Sequence, residues 1–591
     1  MIRILKSNID LKKLLFFITI FITAFVITYR THSGKGYYNW QSEIWADRAG
    51  YYIYLPAFFM YHFDAKKAPE KIEEKTGYGF TIDSEKNTIN TKYTYGVSVL
   101  LSPFFLIARL VSPLLHQPGE AGFGPVFHKM VNVAAVFYFV LGLWFLEKFL
   151  AFYFKPRIRY LVLFFLAAGT NLLYYATDDT LMSHIYSFFL FSVFLYSMKK
   201  VIMDRNHFRS FLLFSVSFAL IILIRPTNVV MFLLFLCWDI NSFNEIRTRI
   251  VHLFRPRYLI TLLLVTFMVF LPQMIYWKYS RGGFLVYSYG TESFSNWSHP
   301  RIAEVWFSTL NGLFLYNPLF IMMIAGMILM MVRKQVNGWI TFGLFLTISY
   351  LFASWYNWYF GCSFGQRSYV EYYALFAIPF GFLIKDATAI KNLFLKALPF
   401  ILILFFSYYN IKLIHKFDKC FFGSSWDWSE FSRQLDRAGI FIPYQKSHSF
   451  TNDMENQALS YPYALSDSVV HTGMYSAKVN PDKVFLPFFS VPVNDLGERL
   501  PHYIQLGLWA YTRETGKNES LIVCSMEKND SAYAWQSQLL APYFTRLNQW
   551  QKINVRFVIP EGVNRDLMIK LYLWNPKGST FYIDDLKLQF N

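Results

Sequence analysis

The chain has 591 residues, of which 54% are hydrophobic, 20% aromatic and 16% charged, and its mean hydropathy is +0.28. A soluble chain of this length is less apolar and more charged, so these figures exclude a soluble enzyme and indicate a polytopic membrane protein. The net charge of +18 does not mark a nucleic-acid partner, because the basic residues fall mostly in short loops between apolar runs, the pattern that orients membrane proteins.

The first apolar run, roughly 14–29, follows Lys6, Lys12 and Lys13 and lacks a small-x-small cleavage site, so it reads as an uncleaved span. Ten more spans follow at 127–150, 160–176, 183–198, 210–224, 227–240, 258–277, 309–332, 337–354, 371–385 and 397–414. With the N-terminus cytoplasmic, the inner segments carry 20 Lys and Arg, counting Lys385 at the edge of the last one. The outer loop 177–182 carries none, and 355–370 has only Arg367. The apolar run from Tyr95 to Leu115 is placed on the membrane surface instead. Counting it as a span would put Lys155, Arg157 and Arg159 outside, and its Pro103, Pro113 and Arg109 suit an interfacial or re-entrant helix. The first outer loop, 30–126, then carries one or two surface helices.

From about 440 the long apolar runs stop and period-two alternation begins, at 503–509, 552–558, 567–573 and 581–588. Such runs between Asn, Gly and Pro turns predict an antiparallel sandwich, on the outer side after an odd number of spans. The expected organisation is a membrane domain over 1–415, a linker over 416–445 and a β-sandwich over 446–591. The fold class is thus an α-helical polytopic membrane protein followed by an all-β domain. Four cysteines form no framework. Cys237 falls in a span, Cys420 and Cys524 could pair, and no CxxC or His/Cys cluster indicates zinc.

Several polar residues sit where membrane-surface chemistry could use them. Glu43 and Asp47 are four apart, so on a helix they would share a face, and a carboxylate there could take a proton from an acceptor hydroxyl. The ordinary alternative is a solvated acid paired with Arg48. Asp178 and Asp179 follow the third span, and could bind a divalent cation (Mg2+ or Mn2+), orient an acceptor, or cap a helix starting near Thr180; His184 could join either arrangement. Arg225 interrupts an apolar stretch before Pro226, which is costly unless it is paired, lines a polar cavity or snorkels. The outer loop 278–308, with Lys278, Arg281, Tyr287, Tyr289, His299 and Arg301, is long enough to cover a site. The densest segment is 355–371, where Trp355, Tyr356, Trp358 and Tyr359 precede Gly361, Gly365, Gln366, Arg367 and Glu371. An interfacial aromatic belt would explain the rings but not the glycines or the Arg367–Glu371 pair, and an arginine there could hold a phosphate through two parallel bonds.

Taken together, the Trp-Ala-Asp-Arg-Ala-Gly-Tyr-Tyr stretch around Asp47, the surface segment from Tyr93 to Leu115, and the second acid at Asp178–Asp179 resemble the GT-C superfamily of integral-membrane glycosyltransferases. The likeness is to the branch with protein O-mannosyltransferases and aminoarabinose transferases. It spans roughly 10–415, with Ser363 to Arg367, Glu371 and Pro379 resembling bacterial members. The resemblance implies a polyprenyl-phosphate sugar donor, a glycan, lipid or protein acceptor, inversion at the anomeric carbon, and a bacterial inner-membrane location. It gives the base role to Asp47, with Glu43 in reserve because Asp47 lacks the adjacent acid of many relatives. Arg367 and Arg225 would meet the donor phosphate. The terminal region resembles a carbohydrate-binding-module jelly roll, through His471 to Ser476 and Phe581 to Leu586. Exposed Trp535 or Trp574 would favour glycan binding there, and buried ones a spacer. A lipid-linked-glycan flippase and a non-catalytic glycan-binding assembly protein are the rival functions.

Overall fold

The computed structural model describes residues 11–116, 120–361, 363–417, 428–440, 449–455, 464–482, 484–496, 500–501, 503–513, 518–528, 531–560 and 563–590. The chain forms two compact units: Met1–Thr31 with Glu43–Pro443, and His32–Ser42 with Tyr444–Asn591.

The first unit is helical because its apolar runs must satisfy their backbone groups internally. Six helices among the described residues are long and apolar enough to cross a membrane: Leu11–His32, Gly96–Leu114, Pro125–Leu150, Ser183–Met203, Pro256–Arg281 and Leu393–His415. Shorter apolar helices lie at Phe208–Ile224, Pro226–Cys237, Leu319–Val332 and Gly338–Ser354. Prolines sit in the first turn of Pro125–Leu150, Pro156–Gly169 and Pro256–Arg281, where a missing N–H costs nothing.

Three expected spans are broken. The 160–176 run stops at Gly169 and resumes as Leu172–Thr177. The 227–240 run opens with a 3-10 turn, Pro226–Met231. The 309–332 run divides at Asn317–Pro318 into Leu313–Tyr316 and Leu319–Val332. A buried asparagine network serves the broken ends. Asn317 Oδ1 accepts from Asn171 N–H at 2.6 Å, Asn171 Nδ2 donates to Phe364 O at 2.9 Å, and Asn410 Nδ2 donates to Tyr316 O at 2.7 Å. Irregular backbone is tolerated in such a bundle only where protein partners of this kind satisfy it.

The Gly96–Leu114 helix packs antiparallel on the N-terminal half of Pro125–Leu150. Tyr138 OH donates to Leu100 O at 2.7 Å, and Phe105 meets Phe127 at 5.0 Å. Tyr138 also meets Tyr186, close to the start of Ser183–Met203. The Gly96–Leu114 helix, expected on the membrane surface, has the length and apolarity of a crossing one.

The segment 416–445, expected as a plain linker, contains the helix Trp428–Ala438, which packs on Leu393–Lys416 and sets Phe431 5.4 Å from Tyr316. His32–Ser42 also departs from expectation. It groups with the second unit, where Gly36 lies against the Tyr543 ring.

The first unit also carries the hairpin β1 (Thr81–Asp83) and β2 (Thr88–Asn90). The second unit is a sandwich of antiparallel sheets. Its strands are β3 (Ser449–Asn452), β4 (Ala464–Ser466), β5 (Ser476–Val479), β6 (Phe485–Pro492), β7 (Tyr503–Tyr511), β8 (Leu521–Lys528), β9 (Ser531–Leu539), β10 (Trp550–Val558), β11 (Met568–Trp574) and β12 (Phe581–Phe590). One sheet runs β10-β7-β12-β5-β4, with β3 also on β12, and the other runs β6-β11-β8-β9. Alternate residues such as Ile504, Leu506, Leu508 and Ile569, Leu571, Leu573 form the core, as period-two patterning dictates. Cys420 lies outside the described residues, and Cys524 is a free, buried thiol in β8.

Candidate active site

Asp47 opens the short helix Asp47–Tyr52. Close backbone approach places it. Ala46 N–H donates to Thr76 O at 2.8 Å, and a Cβ on Gly79 would stand 1.8 Å from Ala46 O. A Cβ on Gly50 would stand 2.5 Å from Gly79 O, so both positions require glycine. On the far side of the site, Gly365 turns the loop at φ +65°, against Tyr316 and Asn317, and delivers Arg367. The two loops meet: Arg367 Nη2 lies 3.4 Å from Asp47 Oδ2.

Tyr93 and Lys92 stand close enough to the Asp47 carboxylate to stabilise its charge. The Asp47 side chain keeps 41% of its accessible surface although these groups surround it. Burial pushes its carboxyl upward, but Arg367 first, then Tyr93 and Lys92, outweigh that and hold it below the ordinary value. Asp47 is thus ionised at neutral pH. Lys92 pairs with Glu292 at 2.7 Å and sits 5.4 and 5.8 Å over the Tyr93 and Tyr289 rings. Burial works against the Lys92 charge, and Glu292 and Asp47 more than restore it.

Beside this pair lies a second charged set. Arg225 Nη1 meets Glu371 Oε1 at 3.1 Å, and its Nη2 is 3.1 Å from His184 Nε2. His184 Nδ1 is 3.1 Å from Glu371 Oε2. A guanidinium has no acceptor, so Nε2 accepts and Nδ1 carries the proton to Glu371, which makes His184 neutral. Arg225 therefore does not snorkel. Tyr51 OH, one turn after Asp47, reaches Ser183 Oγ at 3.3 Å, and Arg225 Nη2 reaches the same hydroxyl at 3.4 Å. Gln366 is buried, with Nε2 on Trp358 O at 3.1 Å and Oε1 without a hydrogen-bond partner among the described residues.

Three sequence expectations are corrected. Glu43 does not share a helix face with Asp47, because residues 43–46 are non-helical and Ala46 has φ 49°. Its carboxylate lies against His128 Nδ1 and Asn132 Nδ2, both at 2.8 Å. Arg48 pairs with Asp179 at 3.3 Å rather than with a nearby loop acid. Asp178 accepts from Thr177 Oγ1 at 2.7 Å, and neither acid caps the next helix, which starts at Ser183 with no side-chain cap bond. With Asp179 committed to Arg48, the pair does not fit a cation site, and among the described residues no group of three His, Cys, Asp or Glu could hold a metal.

The second unit presents a separate aromatic surface on its four-stranded sheet. Phe485 and Trp574 stack at 6.2 Å with planes 4° apart, and Trp535 Nε1 donates to Tyr572 OH at 3.3 Å. Phe485, Tyr533 and Trp535 are exposed, and Tyr572 and Trp574 are half-buried.

No family model matches the chain, and no curated protein matches it by sequence. Solved structures do resemble it. The oligosaccharyltransferase of Archaeoglobus fulgidus in its apo form matches with a TM-score of 0.37 and 9% identity, over 96% of this chain and 96% of that one. The arabinosyltransferase EmbB of Mycobacterium smegmatis matches with 0.34 and 10%, over 100% of this chain and 66% of that one. The CBM22-2 xylan-binding domain from Paenibacillus barcinonensis matches with 0.18 and 16%, over 24% of this chain and 99% of that one.

The structure adds residues that the sequence did not single out. Lys92 and Glu292 are isolated loop charges 200 positions apart, and nothing in either stretch signals the other. Tyr51 and Tyr93 were legible only as members of aromatic stretches.

Proposed function

We propose that this protein is a membrane glycosyltransferase. It moves a sugar from a polyprenyl-phosphate donor to an acceptor hydroxyl, with inversion, on the periplasmic face of a bacterial inner membrane. The observation that carries this reading is the meeting of Asp47 and Arg367, 320 positions apart, in one ion pair. A base and a phosphate-binding cation are the two groups such a displacement needs. Asp47 takes the acceptor's proton as its oxygen attacks the anomeric carbon. The bond from that carbon to the phosphate oxygen breaks, and the polyprenyl phosphate leaves with the electron pair, its charge met by Arg367. Arg225, fixed by Glu371 and His184, adds a second positive charge behind it. Tyr289 and Trp355, edge to face at 6.0 Å, offer ring faces for a sugar. On the second unit, the Phe485–Trp574–Trp535 surface suits stacking of glycan rings, and we assign it a glycan-holding role.

The test is sugar transfer by purified full-length protein in detergent, against a panel of radiolabelled polyprenyl-phosphate sugars, comparing wild type with Asp47→Asn. The expected result is turnover of one donor by the wild type, reduced on the order of 10²- to 10⁴-fold in Asp47→Asn, with donor binding kept. Equal turnover in both would remove Asp47 from the chemistry. Tight donor binding without turnover in either would favour a flippase or an assembly protein.

A further inference from the structure

Four cations around the site are each matched with a carboxylate: Arg48 with Asp179, Lys92 with Glu292, Arg225 with Glu371, and Arg367 with Asp47. An anionic donor therefore meets cations that already have carboxylate partners. The pairs are not equally held. Arg225 and Glu371 are both tied further, through His184. Lys92 is 2.7 Å from Glu292 and lies over two rings. Arg48 also donates to Trp45 O. Arg367 has one contact to Asp47, at 3.4 Å, longer than a normal charge-assisted bond of about 2.7–2.9 Å. Its Nε is buried with no hydrogen-bond partner among the described residues. Nε and Nη2 form the edge of a guanidinium that grips two oxygens side by side, and here one donor is unspent and the other weakly spent.

We propose that Arg367 is a shared cation, exchanged from Asp47 to the phosphate of the arriving donor, so that the base is released only when the leaving group has been gripped. The inference rests on the transferase reading above. The groups that face the Asp47 carboxylate are Arg367, Lys92 and Tyr93, with Tyr51 stacked on Tyr93 at 4.2 Å. Of these, Arg367 has the donor edge free to leave. Its departure removes the largest influence that holds Asp47 down, and the carboxylate becomes the stronger base at the moment of transfer. Without the exchange the enzyme would keep a weak base tied to a cation. With it, donor binding comes before acceptor activation, and a stray hydroxyl is not deprotonated beforehand.

The exchange makes an unusual demand: removing the base must tighten phosphate binding. The probe is farnesyl monophosphate, a short polyprenyl phosphate, titrated at constant pH into full-length protein in nanodiscs. Asp47→Asn, a near-isosteric change, is expected to bind it roughly three- to tenfold more tightly than wild type, as for loss of a partly exposed ion pair. In an Arg367→Gln background the same change should have no effect. Equal or weaker binding by Asp47→Asn would overturn the exchange while leaving the transferase reading to its own turnover assay. No binding by wild type or variant would remove the polyprenyl-phosphate donor, and the exchange with it. Infrared difference titration of the wild-type carboxylate gives a second readout that needs no folded variant. Farnesyl phosphate should raise the apparent pKa of Asp47, and an unchanged value would also overturn the exchange.

Discussion

At the scale of single residues, the site turns on the acidity of Asp47. Its carboxyl titrates below the ordinary range in the folded protein, so the charged form is present above that depressed value and is lost as pH falls through it. The acid limb of kcat/KM, which reports the free enzyme, is therefore expected below the usual carboxylate range. Arg367→Gln removes the main influence that lowers the value and leaves burial, which raises it. The limb should then move to higher pH, and a pH–rate profile of that variant checks the direction; an unmoved limb would mean that another group titrates. Asp47 and Arg367 were legible in the sequence because each sits in a stretch where aromatic rings and glycines crowd a charge. Glu43 was misread for a physical reason. Four-residue spacing implies a shared face only inside a helix, and the left-handed Ala46 ends any helix before Asp47. Lys92 and Glu292 were invisible because a lone loop charge carries no information about a partner 200 positions away.

Elements hold these residues in place. Glu371 is fully buried between Arg225 and His184. Glu371→Leu would strand Arg225 without its counter-charge and should cost about 3–5 kcal/mol of stability. Glu371→Gln keeps the shape and should cost less. Thermal unfolding of both variants, compared with wild type, checks the order. Gly79 makes a different demand. Gly79→Ala would drive a methyl into Ala46 O and push the Asp47 helix off its bed. Overpacking of this kind costs about 1–3 kcal/mol, and transfer should fall with the shift of Asp47 while bulk helix content is unchanged. The apolar runs announced where helices would form, and Pro226 announced one break. The breaks at Thr170 and Asn317 were not announced. A polar residue inside an apolar run reads as a tolerated exception until its partner is known, and here Asn317 meets Asn171 and Asn410, and Asn171 meets Tyr373.

For the molecule as a whole, alternation in the terminal quarter identified β7, β10, β11 and β12, since a half-buried strand shows its period directly. The aromatic surface beside them is expected to hold glycan. Trp535→Ala in the full chain should lower retention on a matching polysaccharide by at least tenfold, about 1.4 kcal/mol, with unchanged unfolding. Affinity electrophoresis across several polysaccharides measures it, and equal retention would assign the surface to a structural role. The grouping of His32–Ser42 with the second unit has a consequence in time. That segment leaves the ribosome about 400 residues before Tyr444 does, or roughly 20–80 s at 5–20 residues per second. The helical unit must therefore be inserted while one of its own loops waits for a partner not yet made.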